Sequence, residues 1–187
     1  MSKKYNKIIF EDYPEFTPNL TPKEMFNMGS FGGTYWRPIY SGVLGKNLKN
    51  YHKKYSFLNH IPLNKLTSEN YDININKYKV KVGTSLEFWE SKNWIHKKHP
   101  YGWVQWYCDF YSGKRSEDDE RQIMRWKKLA GKNGRFTRFL VTQLLKQNKN
   151  YNDESVSPKI RQVLQHWGYI LTKDDYDYEI NRRSKSK

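Results

Sequence analysis

Apolar positions recur at helical spacing through most of the second half of the chain. After Pro100, residues Trp103, Trp106, Tyr107 and Phe110 fall at i, i+3, i+4 and i+7, one face of a helix. Val104, Cys108 and Tyr111 widen that face until little of the segment is polar, which predicts a helix buried on most sides and stopped at Gly113. Ser116 is the expected next N-cap. Glu117, Asp118 and Asp119 then fill a first turn, where carboxylates meet the positive end of the helix dipole. In this helix, 116–130, Ile123 and Trp126 turn inward beside Leu129 and Ala130, while Arg121, Arg125 and Lys128 share another face. A further amphipathic helix is expected over 136–147, with Phe136, Phe139, Leu140, Gln143 and Leu144 inward and Arg135, Arg138 and Lys146 flanking. Ser157 and Pro158 open a helix carrying Ile160, Val163, Leu164 and Trp167, stopped by Gly168. From Thr172 an acidic last turn or short helix follows.

The first half is less periodic. Thr21, Pro22 and Glu24 supply an N-cap, N1 and N3 for a short helix to Met28. Thr84 with Glu87 predicts another, running through Phe88 and Trp89 to about Trp94. Strands are expected at 34–40, interrupted by Pro38, and at 70–82, where Tyr78, Val80 and Val82 alternate with Lys77, Lys79 and Lys81. Those lysines either guard a sheet edge or track a phosphate backbone. The fold class is therefore α+β, predominantly helical in the C-terminal two thirds, with a small antiparallel β layer from the N-terminal half. One compact domain over 10–180 is expected between basic flexible tails at 1–9 and 181–187.

Composition sharpens this picture. The chain of 187 residues carries 34 Lys and Arg against 19 Asp and Glu, a net charge of +15. Aromatic residues make up 17% and supply a core despite a mean hydropathy of −1.01. No apolar run approaches a membrane span. A single cysteine, Cys108, excludes an internal disulfide and the Cys-rich zinc classes, and suits an intracellular, reducing compartment. Set among aromatics, it is expected to be an inert core thiol.

With YGWVQWYCDFY, SEDDERQIMRW, GSFGGTYWRPIY and SPKIRQVLQHWGY in one chain, residues 10–180 resemble a family of small uncharacterised proteins found in large DNA viruses, fungi and algae. The resemblance implies one compact domain and a viral protein; it brings no catalytic residues.

The charge implies a polyanionic partner, nucleic acid foremost. The expected function is non-catalytic nucleic-acid binding on a basic surface around helices 116–130 and 135–147, using Lys114, Arg115, Arg121, Arg125, Lys128, Lys132, Arg135 and Arg138. Whether the partner is DNA or RNA is left open. The turn at Gly32 and Gly33 beside Arg37 is a possible anion loop, although it matches neither Walker nor dinucleotide-binding spacing. One alternative is a metal-dependent enzyme acting on nucleic acid or a nucleotide. It would use Glu117, Asp118 and Glu120 with Arg121 and Arg125 as anion clamps, and His96 or His99 as base. The plainer reading of the run Glu117, Asp118, Asp119 and Glu120 is helix capping. A second alternative is a protein-interaction module exposing Trp36, Tyr40 and Trp94. His96 and His99 have HxxH spacing, but no third ligand follows in sequence except the buried Cys108. Neither a metal nor a cofactor is therefore assigned.

Overall fold

A computed structural model describes residues 4–187; Met1, Ser2 and Lys3 of the expected N-terminal tail lie outside the described residues. Seven α-helices and one two-stranded antiparallel sheet are present among them: α1 (Pro22–Met28), β1 (Ile39–Ser41), β2 (Lys46–Leu48), α2 (Leu86–Ser91), α3 (Trp103–Tyr111), α4 (Asp119–Leu129), α5 (Arg135–Lys146), α6 (Pro158–His166) and α7 (Lys173–Lys185). The sheet pairs Ile39 with Leu48, Tyr40 with Asn47 and Ser41 with Lys46. This is the expected α+β class.

Helix α3 is the axis. Seven of its side chains, from Trp103 to Phe110, are buried, so its faces need partners on several sides. Phe16, from the extended segment before α1, is fully buried and enters edge-on among Trp103, Tyr107, Phe110 and Trp126, at centroid separations of 5.1–6.2 Å. Edge-to-face geometry is the favoured one for aromatic quadrupoles. Each indole N–H in this cluster finds an acceptor: Trp103 on the Gln122 carbonyl, Trp106 on Asp119 and Trp126 on the Trp167 carbonyl. Those three bonds tie α3 to α4 and α4 to the end of α6.

Polar side chains pin the N-terminal half to α6. Gln165 and Ser30 meet on the Met25 carbonyl, and His166 Nε2 accepts the Phe31 N–H at 3.0 Å. Buried polar groups survive because they are paired.

Several expectations are corrected. Residues 70–82 form no strand. Burial alternates over 76–82, but Lys79 has a positive φ of 56°. The Asn76 amide, rather than a neighbouring strand, bonds the Gly32 N–H, the Tyr71 hydroxyl and the Val80 carbonyl. The earlier strand is confined to Ile39–Ser41. Helix α2 is capped by Ser85, whose side chain accepts from the Phe88 N–H, and not by Thr84. In α5, Phe139 is exposed and Val141 buried, because α6 and α7 both pack on this helix and rotate the buried stripe. The expected C-terminal tail is mostly helix: α7 continues to Lys185, with Arg182 and Arg183 bonded to buried Glu179. Within the expected N-terminal tail, Ile8 N–H donates to the Pro18 carbonyl.

Candidate functional site

A cleft of about 470 Å³ opens between α2, α4, α6 and the loop at 82–84. Its apolar walls are rings: Phe31 and Tyr35, Phe88, Trp89 and Trp94, Trp103, Phe136 and Trp167. Phe88 and Trp94 remain 39% and 38% exposed, so ring faces stay accessible. Two backbone features place them. Asn93 turns left-handed after α2, at φ 57°, and the Trp94 N–H closes back on the Trp89 carbonyl. Gly102, at φ 101°, lets α3 begin against Trp89 and Ile95, where a Cβ would come within 3.2 Å of the isoleucine.

Arg125, Lys128 and Arg135 are the charged residues of this lining, and no carboxylate shares it. Arg125 donates to the Gln122 side chain at 2.8 Å and the Trp94 carbonyl at 3.3 Å. Its guanidinium lies 5.6 and 5.5 Å from the ring centroids of Trp94 and Trp167. Burial, then the charge of Arg121, lowers its pKa to about 10, which leaves it a cation at neutral pH held by neutral groups. A second lobe of about 370 Å³ shares Phe31, Tyr35, Trp89 and residues 82–84 with the first, and carries Arg37, Lys81 and Tyr71 together with one carboxylate, Glu69.

The eight basic residues expected to form one surface divide. Arg125, Lys128 and Arg135 meet at the cleft. Arg115 does not: it spans Asp12 at 2.6 Å and lies 3.7 Å from the Phe110 ring centroid. Arg121 is bidentate on buried Asp118, at 2.5 and 3.0 Å. Arg138 faces Glu179 at 3.8 Å and Lys114 faces Asp109 at 3.6 Å. Lys132 sits over the Tyr178 ring.

The glycine loop is not an anion nest. Phe31 N–H donates to His166, Gly32 to Asn76, Gly33 to the Ser30 carbonyl and Thr34 to the Phe31 carbonyl. With every amide from 31 to 34 engaged, phosphate finds no free donor there. The glycines serve close packing instead, since a Cβ on Gly32 would lie 2.5 Å from the Tyr71 ring. Arg37 lines the second lobe with its guanidinium donating to the Thr34 carbonyl at 3.1 Å.

The acidic run also separates. Asp119 accepts Ser116 N–H at 2.8 Å and the Trp106 indole, bracing the turn before α4 against the core, while the N-cap of α4 is Asp118, without a side-chain cap bond, and not the expected Ser116. Glu117 is exposed and pairs with Lys98, and Glu120 is exposed. Asp118 turns toward the histidines. The ligand atoms of His96, His99 and Asp118 lie within 4.8 Å of one another, although the sequence offers no third ligand near the HxxH pair. His99 Nε2 lies 3.2 Å from Asp109 Oδ2, and Asp109 also accepts the Tyr55 hydroxyl at 2.8 Å. Burial pushes the Asp109 carboxyl up, but the bonds from His99 and Tyr55 outweigh it and hold it below its usual value.

Of the aromatics considered for exposure, Trp36 is fully buried while Tyr40 and Trp94 are exposed. Trp89, Phe136 and Trp167 escaped sequence reasoning as cleft residues, because core rings and cleft rings share one periodicity. No helix among the described residues is long and apolar enough to cross a membrane. No protein-family model, curated protein or solved structure matches this chain.

Proposed function

We propose that this protein binds single-stranded nucleic acid without transforming it, laying bases against the rings of the cleft and phosphates against its cationic rim. The observation that carries the reading is the lining itself: eight aromatic rings and three cations with no opposing carboxylate. Each base has a π-face, and stacking on a protein ring contributes about 1–3 kcal/mol per base. A duplex hides those faces, which favours the single strand. Arg125 suits the rim for a further reason: a guanidinium already desolvated over indoles loses little hydration when a phosphate arrives. The binding face is narrower than the helical surface anticipated from sequence, because Arg115, Arg121 and Arg138 already hold carboxylates.

Fluorescence anisotropy with a labelled strand of roughly 12 nucleotides, DNA and RNA in parallel, tests the reading. Binding is expected with tryptophan quenching. With three phosphates neutralised, log K should fall against log salt with a slope of about −2. Replacement of Trp94 by alanine should weaken binding by about 1 kcal/mol or more. Equal affinity for duplex, or an unchanged Kd in the Trp94→Ala protein, would overturn it.

A further inference from the structure

We infer that His96, His99 and Asp118 form a binding site for one divalent transition-metal ion, zinc being the reference case. The inference is independent of what occupies the cleft.

His99 carries the first argument. It is 3% exposed, and its Nδ1 is buried without a hydrogen-bond partner among the described residues. The other ring nitrogen, Nε2, is committed to Asp109 at 3.2 Å. A carboxylate acceptor fixes the proton on Nε2 and leaves the Nδ1 lone pair outward, the arrangement by which metal-binding histidines are oriented. Asp109 is held in turn by the Tyr55 hydroxyl. A buried lone pair without a donor is uncommon; here it belongs to a histidine that shares a group of possible ligands with His96 and Asp118.

Local structure assembles the rest. His99 N–H bonds the His96 carbonyl at 2.9 Å, a tight turn that brings the two ring centroids to 6.2 Å. Asp118 comes from the start of α4, far along the chain. It already accepts from Arg121 Nε and Nη2 and from Gln122 Nε2. A carboxylate has about four acceptor positions, so one remains.

Metal bonds of about 2.1 Å span at most about 4.2 Å between ligands, so ligand atoms already within 4.8 Å of one another need at most a small contraction to share one ion. His96 is the arm that can move. Its side chain is 29% exposed, and its contacts are loop contacts that water can replace: Lys98 N–H on Nδ1 at 3.1 Å and Glu117 at 3.6 Å from Nε2. Two imidazoles and one carboxylate favour zinc and its first-row neighbours over magnesium or calcium, which select oxygen ligands. Three protein ligands leave a tetrahedral ion one position, and Glu117 and solvent both stand beside His96 to fill it.

The test uses the untagged full-length chain stripped with chelator and titrated calorimetrically with Zn²⁺, with Co²⁺ as a spectroscopic probe. One equivalent should bind with micromolar affinity or tighter, raise the melting temperature and resist millimolar Mg²⁺. His96→Ala should keep the metal-free melting temperature, since that ring is partly exposed, yet lose at least about tenfold in affinity, as should Asp118→Asn. Failure of the wild-type chain to take up one equivalent of Zn²⁺ at micromolar concentration would overturn the site. So would unchanged affinity in His96→Ala, which would place the ion elsewhere.

Discussion

Arg138, Arg182 and Arg183 converge on a single fully buried carboxylate, Glu179, whereas Arg125, Lys128 and Arg135 meet at the cleft with no carboxylate on its lining. Arg138 follows Arg135 by only three positions on α5, yet they belong to opposite regimes. At Glu179 the arginines act as structure: Arg182 foremost, then Arg183, hold its pKa down at about 2 against the upward pull of burial, and Arg183 ties α7 to α5 through the Arg138 carbonyl and Thr142 hydroxyl. At the cleft Arg125 is held by rings and neutral acceptors and Arg135 lies over the Phe136 ring, so their field is directed at whatever enters. A net charge of +15 therefore says less about binding than the pairing of each guanidinium does.

The comparison breaks most sharply at its buried carboxylate. Glu179→Gln removes the charge that three arginines share and should lower unfolding stability by about 2–3 kcal/mol in urea, a figure kept low because the arginine side chains are 30–41% exposed. Affinity for a single strand should not change. An equal loss of binding would mean that the two arginine sets are coupled.

The reverse experiment comes next. Lys128→Glu with Arg135→Glu should weaken single-strand binding by roughly 30-fold, about 2 kcal/mol, while stability stays within about 0.5 kcal/mol. Lys114→Glu, on an exposed side chain facing Asp109 rather than the cleft, should leave affinity within about twofold. If Lys114 and the cleft pair behave alike, binding follows total charge and the distinction fails.

A smaller effect concerns the buried histidine of the cleft lining, His166. Burial pushes His166 down to about 3, below the usual 6.5, so the unfolded chain takes up a proton between these values that the folded chain refuses. Its contribution to stability is present above pH 6.5 and is lost as pH falls toward 3, at about 1.4 kcal/mol per pH unit. Urea unfolding followed from pH 6.5 to 4.5 should show this slope diminished by about that amount in His166→Gln; an unaltered slope would assign the proton uptake to other groups.

Helix periods, and the start of α1, were legible because local chemistry writes them: Thr21 and Glu24 close the capping box on α1, and the near-continuous rings of α3 leave few orientations unburied. Where local signals were ambiguous, packing decided. The alternation at 70–82 looks like a strand, but no neighbouring strand completes it: the distant Gln162 side chain accepts the Tyr78 N–H, and Asn76, inside the segment, donates to the Val80 carbonyl to close the turn. Phe139 has core-like spacing and lies outside, since the stripe that α5 buries depends on α6 and α7 arriving together.

By itself the chain determined its helical segments, its aromatic interior, the α+β class and its excess of positive charge, all properties of residues within a few turns of one another or of simple totals. Which arginines are neutralised, which rings face solvent, and that Asp118 joins His96 and His99, only the tertiary structure decided. Each depends on side chains distant in sequence meeting in space, and no periodicity in one segment records what another segment brings to it.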